Sequence, residues 1–200
     1  MSTGTISASV QIGGVTSAAS VQRSGDILDV AIPVPAGKAG NLTTRTTDAT
    51  GTLTMADAGH GITTGAKIDL YWVGGMRYGV TVGTVSGTSV PIDLGAGDIL
   101  PADESAIVAC VQVSANVAFD GDDATIVYAQ CPQRASVDLN TAVPASVKHV
   151  ELADAEPFTW WSDSGIANPV AANTIATAKC SNGSTTDSTI TLRVLYDATP

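Results

Sequence analysis

Apolar and polar positions alternate with period two along most of this chain, which predicts β-strands. The alternation is densest from Gly65 to Asp93, where Ile68, Leu70 and Trp72 alternate, Gly74-Gly75 interrupt, and Tyr78, Val80 and Val82 alternate back. Directly opposed residues of an antiparallel pair share a face. A two-residue Gly74-Gly75 loop would oppose Trp72 with Arg77 and send the two apolar rows to opposite faces. A three-residue loop through Met76 opposes Trp72 with Tyr78, Leu70 with Val80 and Ile68 with Val82. A one-residue slip flips every side chain, so the pattern selects the three-residue loop with a left-handed glycine. A Ser86-Gly87-Thr88 loop then opposes Val82 with Ile92, and Pro91 suits an edge strand, where no ladder donor is needed.

The same logic predicts a hairpin over residues 5–23. Here a two-residue Gly13-Gly14 loop aligns the rows, opposing Ile12 with Val15 and Ile6 with Val21. Gly25 is expected to end it, and Leu28, Val30, Ile32 and Val34 form a third strand. The pattern loosens through the threonine-rich Asn41 to Asp48, and again through Leu94 to Ala102. Gly51 to Met55 reads as a short strand and Ala56 to Gly61 as a loop. From Ile107 to Phe119 one apolar row runs unbroken, which predicts one long central strand. Further strands are expected from Ile126, over Ser136 to Leu139, Ser146 to Leu152, Ile175 to Cys180 and Thr189 to Tyr196. About ten to thirteen strands at this spacing predict an all-β fold. The expected architecture is an antiparallel, jelly-roll-like β-sandwich split over 1–40 and 102–200, with a small β-barrel-like module, 41–101, inserted in it.

Composition agrees with many short strands and turns: Ser and Thr make up about a fifth of the chain, and aromatic residues are only 4%. A net charge of −10 without a basic cluster argues against nucleic acid as a partner. No stretch has the length and apolarity of a membrane span. The start Met1-Ser2-Thr3-Gly4 has no basic n-region or apolar h-region, so synthesis in a cytoplasm is expected. Cys110, Cys131 and Cys180 lack Cys-x-x-Cys spacing, and Cys110 and Cys180 fall on strand-like segments, as small core residues do.

Candidate chemistry is sparse. Asp120, Asp122 and Asp123 offer oxygens to a hard cation, but an Asp-Gly pair is also ordinary hairpin-turn chemistry and no later glutamate completes a calcium loop. His60 and His149 sit in no zinc or nucleophile motif, and His60 reads as a turn residue. Ser164-Gly165 lacks the leading glycine of a nucleophile elbow. No catalytic, cofactor or metal site is therefore expected, and the protein reads as a non-enzyme. Pro157-Phe158-Thr159-Trp160-Trp161 stands out, because adjacent tryptophans on a strand point to opposite faces. One can fill the core while the other meets a subunit or a sugar ring; Phe158, Trp160 and Trp161 are the candidate interface residues.

Gly61-Ile62-Thr63-Thr64-Gly65-Ala66-Lys67-Ile68-Asp69-Leu70-Tyr71-Trp72, followed by Arg77-Tyr78-Gly79-Val80-Thr81-Val82, is similar to small β-modules of tailed-bacteriophage virion proteins. With the composition, the chain resembles head decoration (cement) and related accessory proteins. The resemblance implies a non-enzymatic virion subunit, a homo-oligomer and first of all a trimer, that binds and reinforces the lattice of the major capsid protein. The alternatives are a receptor- or glycan-binding module of a fibre, with Trp160 or Trp161 as the contact, and a tail or adaptor component.

Overall fold

The computed structural model describes residues 2–12, 15–95, 99–120, 124–139, 149–162, 164–170 and 174–197. The fold is all-β and antiparallel, with no helix among the described residues. The first two strands are β1 (Ser2–Ile12) and β2 (Val15–Val34). Next come β3 (Lys38–Arg45), β4 (Thr50–Met55), β5 (Lys67–Trp72), β6 (Gly75–Val82), β7 (Ser89–Asp93) and β8 (Ala106–Val111), which close into a barrel in the order β3-β4-β7-β6-β5-β8. The remaining strands are β9 (Val113–Asp120), β10 (Ala124–Gln130), β11 (Ala135–Asp138), β12 (His149–Leu152), β13 (Phe158–Trp161), β14 (Thr174–Asn182) and β15 (Ser188–Tyr196). With β1 and β2 they form two sheets, β1-β2-β15-β10-β13 and β12-β11-β14-β9. The chain thus leaves the sheets after β2, builds the barrel, and returns at β9.

Each body has its own apolar core. Leu42, Leu53, Ile68, Leu70, Val90 and Ile107 fill the barrel, while Val127, Val137, Trp160, Cys180, Ile190 and Leu192 pack between the sheets. Full burial of such side chains contributes about 1.5–3 kcal/mol each.

The β1–β2 ladder has the expected register, Ile6 opposite Val21 and Ile12 opposite Val15, and Val82 opposes Ile92 as expected. The loop residues Gly13 and Gly14 lie outside the described residues. Gly25 ends the β1–β2 pairing as expected but not the strand: β2 runs through it, and the expected third strand is its continuation, paired with β15. A Cβ on Gly25 would stand 2.4 Å from the Tyr196 carbonyl oxygen, so the glycine admits a close backbone approach where one partner gives way to the next.

The run from Ile107 to Phe119 also differs from expectation. It is two strands broken at Gln112: β8 pairs with β3 and β5 in the barrel, and β9 pairs with β14 in the sandwich. Of the threonine-rich segment, Asn41 to Arg45 belong to β3, where Leu42 fills the barrel and Thr43 Oγ1 donates to Thr52 O at 3.2 Å, and Thr46 to Asp48 form a bend beyond it. Pro91 lies in a closed barrel rather than on an edge strand; β7 pairs with β4 along its length, and with β6 through Ile92 and Asp93 only.

The β5–β6 turn is the sharpest correction. Trp72 opposes Gly75 across a two-residue Val73-Gly74 loop with Gly74 at φ +84°, not a three-residue loop. The register is reset farther on, by a bulge that sets Tyr78 and Gly79 against Asp69 and brings Ile68 opposite Val80. Gly79 takes φ +63°, and its N–H donates to Asp69 Oδ1 at 2.9 Å. Val80 and Val82 do join Ile68 and Leu70 in the barrel core, through the bulge and not the loop, but Tyr78 falls on the other side, edge-on to the Tyr71 ring at 6.4 Å.

Candidate functional site

β5 is buried on both faces: Ile68 and Leu70 point into the barrel, and Asp69 and Tyr71 point outward and are also buried. Tyr71 meets the sandwich. Its hydroxyl is 2.6 Å from Ser181 Oγ, which is 2.8 Å from Ser136 Oγ. The guanidinium of Arg134 lies 5.3 Å over the Tyr71 ring and donates to Trp72 O at 3.0 Å and Gly75 O at 3.1 Å. Gly183 fits beneath the same ring, since a Cβ there would stand 2.6 Å from it. On β8, the Cys110 thiol donates to Asn182 O, and Asn182 Nδ2 donates to Thr186 O at 2.7 Å. Asp69 Oδ1 also accepts from Gln112 Nε2 at 2.9 Å, so the break between β8 and β9 is tied to the β5–β6 bulge. This polar seam joins barrel to sandwich.

The tyrosines and thiols around the seam are held neutral. Burial raises the Tyr71 phenol well above its ordinary value, and the Asp69 charge adds to this, against the hydrogen bonds from Ser136 and Ser181. Burial likewise raises Tyr78, with Tyr71 and Glu151 adding to it. The Cys110 thiol is raised by burial and then by Asp69; Cys180 is pushed up to about 12 by burial, Asp138 and Cys131. Such thiols are poor nucleophiles, because the thiolate is the reactive form.

Beside the seam lies a mostly apolar groove of about 570 Å³, lined by Met55, Trp72, Val73, Val108 and Arg134 among others. Val73, at the hairpin tip, is 97% exposed.

Of the expected interface residues, Trp160 lies in the sandwich core, 3% exposed, with its indole N–H donating to Ile166 O at 2.9 Å. Phe158 packs against the same core, half-buried. Trp161 is half-buried and alternates to the other face of β13, opposite Ile126 of β10. β13 is the last strand of its sheet, so Trp161 stands on a sheet edge.

The other candidates do not converge. Asp122 and Asp123 lie outside the described residues, as do the side chains of Asp120 and His149. Among the described residues, no group of three or more His, Cys, Asp or Glu could hold a metal ion. Ser164 Oγ accepts from Ile166 N–H at 3.3 Å and shapes its own turn. His60 is more than a turn residue: it is 5% exposed, its Nδ1 accepts from Ile62 N–H at 3.0 Å, and its Nε2 lies 3.0 Å from Gly87 O. That pairing selects the neutral tautomer with the proton on Nε2 and braces two loops of the barrel.

Sequence patterning did not find Arg134, Ser136, Ser181 or Asn182. Their partners lie far away in the chain, Tyr71 and Ser181 being 110 residues apart, and no local motif marks them. A scan against family models, a search of curated proteins and a search of solved structures all give no significant match.

Proposed function

We propose that this protein is a non-enzymatic structural subunit of a virion, a decoration protein that binds the assembled capsid lattice of a tailed bacteriophage and reinforces it. The observation that carries the proposal is the seam. Tyr71, Cys110, Arg134, Ser136 and Ser181 are engaged in joining the two bodies. A subunit that clamps a lattice needs a stiff body, because flexing between its parts would weaken the clamp. Binding only to the assembled state stabilises that state by mass action and needs no catalytic group. The resemblance of Gly61 to Trp72 and Arg77 to Val82 to phage virion modules supplies the lattice, and a charge of −10 suits a surface that avoids nucleic acid. Trp161, on its sheet edge, is the proposed contact; the buried Trp160 supports it from the core.

The test is to add the purified protein to undecorated heads of the phage that encodes it, and to measure occupancy by electron microscopy and head survival on heating. Regular occupancy with heads surviving at higher temperature is the expected result. Saturating protein that leaves the heads bare and their survival unchanged overturns the proposal. Binding to tails alone moves the protein to a tail or adaptor role.

A further inference from the structure

The β1–β2 ladder holds eleven pairs, from Ser2 opposite Gly25 to Ile12 opposite Val15. Over this length β1 pairs with β2 alone, and β2 takes its second partner, β15, only from Asp26 onward. The result is a two-stranded ribbon about 35 Å long. Its root is fixed to the body: Gly4 lies against Leu195 and Ile126, and Gly25 against the Tyr196 carbonyl. One side of the root, with Thr3, Thr5, Gln22 and Ser24, is exposed. The other side begins at Gly4, and the ladder continues it through the pairs Ile6–Val21, Ala8–Ala19 and Ile12–Val15.

A two-stranded ribbon with one apolar row is marginal alone in water and gains stability once that row is covered. Charge narrows what covers it. The ribbon holds Arg23 and no acidic residue, so all nineteen Asp and Glu lie beyond it. Two bodies of this chain repel each other, whereas the ribbon of one approaches the other without a like-charge penalty. A nucleic acid would require more than one arginine. The size also fits: one ribbon face is about 350 Å², and a reciprocal exchange of two ribbons buries about 1,400 Å² in all, within the range of stable interfaces. A landing surface lies at the root itself, a mostly apolar depression of about 420 Å³ bordered by Gly4 and Thr5 and lined by Ile27, Ile126, Tyr128 and Leu195 together with the mutually paired Asp29 and Arg193, with Ile27 46% exposed.

We propose that the ribbon of residues 2–25 is a clasp for a second copy of this chain, its apolar row lying on the depression around Ile27 and Tyr128 of that copy. The proposal deepens the assembly reading above by naming the segment and the surface that join the copies. Each copy presents both ribbon and depression, so two copies that exchange ribbons reciprocally close by two-fold symmetry.

The experiment uses the full chain. Light scattering over a concentration series gives the native mass of wild type, Val10→Asp and Ile27→Asp, with circular dichroism to check folding. Wild type is expected to be an oligomer, with each variant dissociating at least tenfold more readily while the body stays folded. Amide exchange of wild type above and below its dissociation concentration covers the case in which a variant misfolds: residues 3–12 and 15–24 should slow on association. A monomeric wild type, unchanged variant masses, or equal ribbon exchange at both concentrations overturns the clasp. So does a wild-type monomer that floats with phosphatidylcholine vesicles. Head occupancy, measured separately, keeps the two proposals distinguishable. A clasp that fails while heads are still decorated leaves the decoration reading standing, and an intact clasp beside bare heads leaves only the clasp.

Discussion

Asp69 sits fully buried with Oδ1 accepting from Gly79 N–H and from the Gln112 amide, each at 2.9 Å. A buried carboxylate is costly unless such donors surround it, and here they hold a bulge in one strand and the break between two others. Asp69→Ala leaves both donors without this acceptor and is expected to cost about 3 kcal/mol, read as a lower urea midpoint at unchanged slope. Asp69→Asn keeps an acceptor in place and should cost less. The same residue enters an alkaline prediction. Tyr71, Tyr78, Cys110 and Cys180 all have folded pKa values raised above their ordinary 10.0 or 9.0. The unfolded chain therefore loses these protons first. The stability they contribute is fully present below about pH 9 and falls as pH rises beyond it. Urea midpoints from pH 7 to 11 should be flat and then drop, and native Cys110 and Cys180 should resist iodoacetamide until denaturant is added. A midpoint that stays level to pH 11 would contradict the neutral state of these tyrosines and thiols.

Among the elements, the glycines decide what alternation cannot. Gly79 at φ +63° permits the bulge, and Gly79→Val is expected to cost about 2 kcal/mol or more, since a β-branched residue is strained there. Gly25→Ala puts a Cβ where the Tyr196 carbonyl already stands, so the last pairs of β15 with β2 should loosen, seen as faster amide exchange at Leu195 and Tyr196. Ordinary exchange there would show that the backbone yields at no cost. These positions also mark what was legible in the sequence. The β1–β2 register could be read because the loop length and the apolar rows agree at every position. The β5–β6 register could not, because face matching requires a one-residue correction somewhere and does not say where. The Asp69 carboxylate and Gly79 place it three residues beyond Met76, the last residue of the loop that the pattern suggested. Gln112 breaks the long apolar row without breaking its alternation, so nothing local separates β8 from β9. The adjacent tryptophans announced opposite faces, but that Trp160 is the one in the core follows from the pairing of β13 with β10.

For the whole molecule, the question is whether two closed cores behave as one. Barrel and sandwich each bury their own apolar set, and what joins them is narrow and polar: the Tyr71–Ser181–Ser136 hydroxyls, Arg134 on two backbone carbonyls, and Cys110 on Asn182. Hydrogen bonds to a charged donor contribute about 1.5–3 kcal/mol each, and neutral ones about 1 kcal/mol. The seam is therefore worth several kcal/mol, comparable with the net stability of a domain. Wild type should accordingly unfold in one transition, with tryptophan fluorescence and far-ultraviolet dichroism coinciding. Arg134→Ala combined with Tyr71→Phe removes the guanidinium and the phenol hydroxyl while leaving both cores intact. The double variant is expected to unfold in two steps, so that the Trp72 signal from the barrel side separates from the Trp160 signal in the sandwich. Arg134→Lys should restore little, because an ammonium cannot reach two carbonyls as a planar fork does. If the double variant still unfolds in one step, the bodies are coupled through the covalent passages at Pro35 to Gly37 and Gln112, and stiffness would have to be sought there.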